Sequence, residues 1–471
     1  MGHSVPLIDD APVTKFHKKL TVFSSGGPFI DGYALSIVGI ALITMVPALG
    51  LNPVEIGLIG AASLVGIFAG GAVFGWVTDK VGRHTMYILD LIALALFSVL
   101  SGLVTEVWQI VALRFLLGVA IGADYPIATS LLAEFLPKRV RGRMLGATFV
   151  VWAIGAAAAY MVGYALSGSG ENAWRWLLMS PAIFAIITLL CRLGTPESPR
   201  WLLSHGKVDE ARSVIKKVYG QEYDIESLGH ESEEGHERAS VKSLFQGEYL
   251  KRTIFVAIFW TAQVIPMFAV YTFAPDLLTS FGLEGDANLY GGSLLIALMF
   301  VVGGIPGLWL VEKIGRRKLL IWSFVIATVA LGLPAIIPNV GAVPLFIALA
   351  VFAVASGSAN FLEVVYPNEL FPTEVRATAV GIGTAVSRIG SAVSTYLMPM
   401  AILHYGAAGS LAIGAVISLV GLIATVLLAP ETMNRNLSEM TRKGNKDSHK
   451  SSTVTTAVPD LALQTAAPEG K

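Results

Sequence analysis

Long apolar runs, broken by short polar loops, recur along almost the whole of this 471-residue chain. Residues 89–104 with their flanks, and residues 342–365, are long enough to cross about 30 Å of hydrocarbon at about 1.5 Å per helical residue. In lipid only helices and closed barrels satisfy their own backbone, and no alternating pattern of barrel type is present. Charged residues make up 14% of the chain, against about 25% in a soluble domain. Lipid is therefore the main solvent, and the fold class that follows is an all-α membrane protein.

The pattern predicts twelve helices, over 22–46, 54–77, 84–104, 107–134, 143–167, 173–193, 251–280, 289–312, 316–337, 341–367, 374–403 and 406–429. They divide the chain into a tail (1–21), a six-helix bundle (22–194), a polar central loop (195–250), a second six-helix bundle (251–430) and a Ser/Thr/Ala/Lys-rich tail (431–471) expected to be disordered. The central loop carries a candidate amphipathic helix at Val208–Tyr219. Lys and Arg set the orientation. One set of connections holds Lys80, Arg83, Lys138, Arg139, Arg141, Arg143, Lys313, Arg316, Arg317, Lys318 and Arg376, whereas the opposite set offers only Arg175. Both termini are expected in the cytoplasm, on a multi-pass protein of the cell membrane, in bacteria the inner membrane. Residues 1–19 are polar and basic and do not read as a cleavable signal. A single cysteine, Cys191, excludes an internal disulfide.

The chain also repeats itself. The loop Gly75-Trp-Val-Thr-Asp79-Lys-Val-Gly82-Arg83-His84 has an echo in Leu310-Val-Glu312-Lys-Ile-Gly315-Arg316-Arg317, at an offset of 233. Glu134-Phe-Leu-Pro137-Lys-Arg-Val-Arg141 matches Glu369-Leu-Phe-Pro372-Thr-Glu-Val-Arg376 at 235, and Pro196-Glu197-Ser198 matches Pro430-Glu431-Thr432 at 234. Gly155 matches Gly390. Small residues four apart, Gly66/Gly70, Gly71/Gly75, Gly118/Gly122 and Gly303/Gly307, allow helix backbones to approach closely in lipid.

These motifs, with Pro196-Glu-Ser-Pro-Arg-Trp-Leu202, resemble the signatures of the major facilitator superfamily, nearest its sugar-porter-like branch. The resemblance covers roughly residues 20 to 432. It implies two pseudo-symmetric six-helix bundles, a site between them near the midplane, and alternating access. Three departures put the substrate in question. Tyr125-Pro126 after Asp124 looks more like phosphate and organic-acid symporters, His84 stands where a second arginine is usual, and Gln263 is a single glutamine in helix seven.

Ionisable groups at membrane depth are costly and therefore candidates for function. Asp31 lies in helix one, Arg114 and Asp124 in helix four, Glu363 in helix ten and Arg388 in helix eleven; Asp90 reads as shallower, closer to the loop charges. Asp31 is read as the proton carrier and Arg114 as the cation that modulates it. The resemblance points the same way, since proton-coupled sugar porters oppose an acid in helix one with an arginine in helix four. The competing reading is a permanent Asp31–Arg114 pair that locks the helices. Asp124 is either a structural acid or a second proton site. Glu363 and Arg388 form a static pair or contact substrate, and an unpaired Arg388 would favour an anionic cargo. Gln263, Asn360, Tyr271, Trp260 and Tyr33 are the neutral candidates for substrate contact.

A cytoplasmic gate is expected from the repeated loop residues Gly75, Asp79, Gly82, Arg83, Glu134, Arg141, Glu197, Arg200, Glu312, Arg316, Glu369 and Arg376. Asp79 is assigned to a helix N-terminus, Arg83 to Glu134, Glu197 and Arg200 to Arg141 or Arg143, and Glu369 to Arg316. Such networks would hold the inner side shut in the outward-facing state.

No phosphate-cradling loop, metal-ligand cluster, nucleophile elbow or basic aromatic surface is present. The reading is accordingly a transporter and not an enzyme, with no cofactor, no metal and no nucleic acid. Its partners are a small-molecule substrate, protons and the bilayer, and it is expected to be monomeric. Proton-coupled uptake of a sugar or polyol is set against transport of a small organic acid or other anion. An intramembrane hydrolase would need a nucleophile at depth, and a sensor would need a larger cytoplasmic domain.

Overall fold

The computed structural model describes residues 12–166, 168–219, 244–283, 285–337, 341–371 and 373–433. Among these residues there are helices and no strands. The two expected tails fall largely outside them, as does the central loop beyond Tyr219.

The first helix, Lys15–Leu49, begins earlier than expected. Its first turn is closed by the Thr14 N–H, which donates to His17 Nδ1 (2.9 Å). The turn is amphipathic: Lys15, Lys18 and Lys19 face outward, while Phe16 meets Phe135 at 5.2 Å and His17 meets Tyr219 at 5.2 Å between ring centroids. The next spans are Pro53–Val81, Arg83–Ser101, Val107–Phe135 and Lys138–Leu166. The sixth is two pieces, Ala173–Met179 and Pro181–Arg192, because Pro181 cannot continue the ladder of the first. The amphipathic helix at Val208–Tyr219 forms as expected and buries Ala211, Ile215 and Val218.

The second half comprises Gly247–Ser280, Asp286–Ile314 and Arg316–Ile336, then a tenth span broken into Ala342–Ala359 and Leu362–Leu370. The remaining run, Thr373–Leu428, turns at Gly406 (φ 70°) and so makes two passes. Ten stretches are long and apolar enough to cross a bilayer, and Val150–Leu166 is a shorter apolar one. With the last stretch counted twice, the described residues hold the twelve expected spans.

The repeat reaches the level of single contacts. A Cβ on Gly122 would meet the Ile67 carbonyl at 2.3 Å, and one on Gly357 would meet the Phe300 carbonyl at 2.2 Å. Gly70 against the Val119 carbonyl is matched by Gly303 against that of Val354. These pairs share the offsets of the loop motifs, so helices two and four interlock as helices eight and ten do. Of the paired glycines read from sequence, Gly71 is in looser contact, 3.6 Å from the Gly122 carbonyl.

Close contacts between the halves gather toward the end away from the basic loops. Gly39 abuts the Thr272 carbonyl, Gly57 abuts that of Tyr396, and Gly163 abuts Tyr290. The Tyr160 hydroxyl donates to the Tyr271 carbonyl. At Gly39 and Gly57 only a glycine lets the backbones come so near.

Candidate functional site

Asp31 sits midway along helix one and is 3% exposed. Gly32 beside it lies against the Trp152 carbonyl, and Gly155 lies against that of Phe29, so helices one and five pack backbone to backbone. That approach brings the Trp152 indole N–H to Asp31 Oδ2 at 2.8 Å. The other oxygen, Oδ1, is buried and has no hydrogen-bond partner among the described residues.

The expected opposition of Asp31 by Arg114 is not realised as an ion pair. Arg114 is 1% exposed and its Nη1 donates to the Ala34 carbonyl at 3.0 Å, while Nε and Nη2 have no partner among the described residues. Rotation of helix four aims the guanidinium at the backbone of helix one, past the carboxylate. The cation whose charge acts on Asp31 is Arg388, from helix eleven in the other half. Arg388 acts on Glu363 as well. Its guanidinium lies over the Phe268 ring at 5.5 Å, and its Nε is buried without a partner among the described residues. Glu363 is 6% exposed and its Oε1 has no partner among the described residues. Two acids from opposite halves thus share the field of one arginine, and neither forms a contact ion pair with it.

Around them stand further polar atoms without protein partners. Gln263 is 4% exposed, and both its amide atoms lack one. Tyr271 stacks on Phe300 (4.4 Å) and meets Trp152 edge-on (5.6 Å), with its hydroxyl unpartnered. Asn360 falls at the break in the tenth span and lines a cleft with Val150, Tyr271, Phe300 and Gly304. Buried polar groups are normally hydrogen-bonded, so this concentration of unpartnered ones is unusual for a packed interior. Tyr33 does not belong to it. Its hydroxyl is bonded to Ser180 Oγ (2.7 Å) and its ring packs on Phe184 (4.7 Å), which turns it into helix six.

Asp124 and Asp90 lie elsewhere, together, near the basic end of the first half. Arg192 Nη1 bonds Asp124 Oδ1 at 2.5 Å and reaches Asp90 Oδ2 at 3.8 Å. Asp90 is 4% exposed, so it joins this buried cluster and not the loop charges. Arg192, fully buried, was missed because it closes an apolar run just before Thr195-Pro196 and so reads as interfacial. Trp152 was also missed, since nothing local distinguishes it from the other tryptophans.

The loop motifs build two matched braces. Arg83 bonds Glu134 at 2.8 Å, and Glu134 also accepts from the Ser198 hydroxyl. Arg316 bonds Glu369 at 2.7 Å, and Glu369 also accepts from Thr432 at 2.5 Å. Glu197 accepts from the His84 N–H through both oxygens (3.1 Å), as Glu431 does from those of Arg316 (3.1 Å) and Arg317 (3.3 Å). Each carboxylate thus caps a helix N-terminus, where the macrodipole favours a negative charge. Gly82 (φ 109°) and Gly315 (φ 89°) make the turn beneath it. Glu197 is engaged with the backbone; the arginines expected as its partners, Arg141 and Arg143, have side chains outside the described residues. Every one of these bonds joins elements of one half, so they stiffen each half. Glu312 is exposed. The side chains of Gly75, Asp79, Tyr125, Pro126, Arg141, Arg200 and Arg376 lie outside the described residues.

Comparison with known proteins agrees with this architecture. The family described as Sugar (and other) transporter matches residues 17–443. YaaU of Escherichia coli, provisionally named as a metabolite transport protein, is 41% identical over 93% of this chain and 98% of its own length. An arabinose-proton symporter of Bacillus subtilis is 25% identical over 92% of the chain and 97% of its own. In fold, the chain is similar to the inward-open xylose transporter XylE of E. coli, with a TM-score of 0.78 and 19% identity over 91% of this chain and 100% of that one. The chain belongs to the sugar (and other) transporter family.

Proposed function

We propose that this protein is a proton-coupled symporter that takes up a small hydrophilic metabolite by alternating access, with its basic loops and both termini on the cytoplasmic side. The observation that carries this reading is the position of Asp31. It is buried where the halves face each other, half-satisfied by Trp152, and held in the field of an arginine from the opposite half. When Asp31 is ionised, it and Arg388 attract each other across the cleft. A proton on Asp31 removes that attraction and frees the halves to rock. The interlocked glycines and matched braces let each half, 22–194 and 251–430, move as a body. Among the described residues the close contacts between the halves lie at the far ends, which is the arrangement of a conformation open to the cytoplasm.

The cargo sits among Gln263, Tyr271, Asn360, Glu363 and Arg388. Amide and hydroxyl groups beside aromatic faces suit a sugar or polyol. One observation favours a second reading, a small organic anion: Arg388 makes no contact ion pair among the described residues. Protonation of Asp31 would then leave a guanidinium ready for a carboxylate, and cargo and proton would promote each other's binding reciprocally.

A thermal-shift screen of purified protein against sugars, polyols, aromatic acids and dicarboxylates identifies the cargo. In proteoliposomes, Asp31→Asn is then expected to abolish concentrative uptake while counterflow persists. Accumulation at the wild-type level in that variant would refute the assignment.

A further inference from the structure

The cluster around Arg192 is unbalanced. Arg192 extends from helix six and stacks its guanidinium on Tyr87 at 3.7 Å. It donates to Asp124 from Nη1 (2.5 Å) and Nη2 (3.4 Å), and to the carbonyls of Tyr87 and Phe23 at 3.4 Å each. Asp90 lies farther from it, 3.8 Å from Nη1, with Oδ1 accepting from the Leu91 N–H (2.6 Å) and Oδ2 buried without a donor. Both acids are drawn to the same Arg192 Nη1, at 2.5 and 3.8 Å, and like charges gathered this closely disfavour the ionisation of both. With one cation for two acids among the described residues, the fully ionised cluster would also bury a net negative charge. A single proton between the acids answers both demands: it supplies the missing donor and brings the net charge to zero.

The surroundings leave little room for any other answer. A Cβ on Gly27 would meet Asp124 Oδ2 at 1.5 Å and Arg192 Nη2 at 3.0 Å, so the backbone of helix one closes the cluster. Tyr87, from helix three, is hydrogen-bonded to Ser24 of helix one (2.8 Å). Among the described residues, the ionisable groups that face the pair are Arg192, Tyr87 and, one turn along helix one from Gly27, Asp31, on which the charge of Asp124 acts.

We propose that Asp90 and Asp124, clamped by Arg192, form a second proton-binding site that holds one exchangeable proton shared between them. Its loss leaves a negative charge that acts on Asp31, so the two sites titrate as a coupled system. Only its part in transport rests on the symporter reading; the proton itself can be observed without any cargo.

Infrared difference spectroscopy of the full-length reconstituted protein, titrated with buffer pH alone, tests this. The starting protein is the Asp31→Asn/Glu363→Gln double variant, which lacks the two acids of the central site. It is expected to retain a carboxylic-acid carbonyl band that shifts in deuterium oxide. Adding either Asp90→Asn or Asp124→Asn should remove that band, because the remaining acid then pairs one-to-one with Arg192 and needs no proton. If one of these proteins does not fold, the other still reports. Absence of the band in the double variant overturns the proposal, as does its survival after the added substitution. Loss with only one of two well-folded variants assigns the proton to a single acid and overturns the sharing. None of these results depends on uptake by Asp31→Asn, so failure here and failure of the symporter reading are distinguishable.

Discussion

The two halves of the molecule share their mechanics but not their chemistry. At the basic end the correspondence runs residue by residue: Arg83, Glu134, Glu197 and Ser198 are matched by Arg316, Glu369, Glu431 and Thr432. In the membrane it fails at Asp90, Asp124, Arg192, Glu363 and Arg388. The offsets that align these motifs carry Asp90 to Ser323, Asp124 to Ala359 and Arg192 to Val426. In the reverse direction they carry Glu363 to Ala128 and Arg388 to Ala153. A duplicated fold keeps in duplicate what holds helices together, because both copies meet the same packing problem. Ionisable groups at depth are costly and are retained only where they act, and each half has kept its own.

This contrast can be broken in order of expected effect. Arg192→Leu leaves two acids buried without their cation and should destabilise by about 3–5 kcal/mol. Val426→Ala, at the matched and half-exposed position, should change stability by less than about 0.5 kcal/mol. Unfolding in detergent compares them, and equal losses would show that the cluster is not what distinguishes the first half. Gly122→Ala and Gly357→Ala each force a methyl onto a carbonyl of the neighbouring helix. Both should cost about 1–3 kcal/mol, and a large inequality would end the claim that the halves are mechanically equivalent. Arg83→Ala and Arg316→Ala remove matched, partly exposed pairs and should each cost about 1 kcal/mol, with similar effects on the thermal midpoint. Tyr33→Phe deletes one neutral hydrogen bond to Ser180 and should cost about 0.5 kcal/mol, the low end for such a bond. Uptake should be unchanged; a clear loss of affinity would return Tyr33 to the substrate site.

Much of this was legible before any coordinates. Gly82 and Gly315 stand between a helix that ends and one that begins, and their φ values of 109° and 89° are what such a joint requires. Arg83 with Glu134 and Arg316 with Glu369 could be paired by repetition alone. The buried set was legible only as a roster. Asp31, Glu363 and Arg388 were singled out correctly as charges at depth, but Asp31 was given Arg114 as its cation, and Arg192 was not seen at all.

The physical reason lies in the range of the interactions. Hydropathy, loop charge and helix-terminal glycines are local properties, so the sequence by itself determined the twelve spans, their duplication and the basic side. Which charge faces which depends on the rotation and depth of helices whose contacts are far apart in the chain. Gly32 against Trp152 and Gly27 against Asp124 set those rotations through backbone approach. Only the tertiary structure could therefore decide that Asp31 answers to Trp152 and Arg388, and that Asp90 and Asp124 share Arg192.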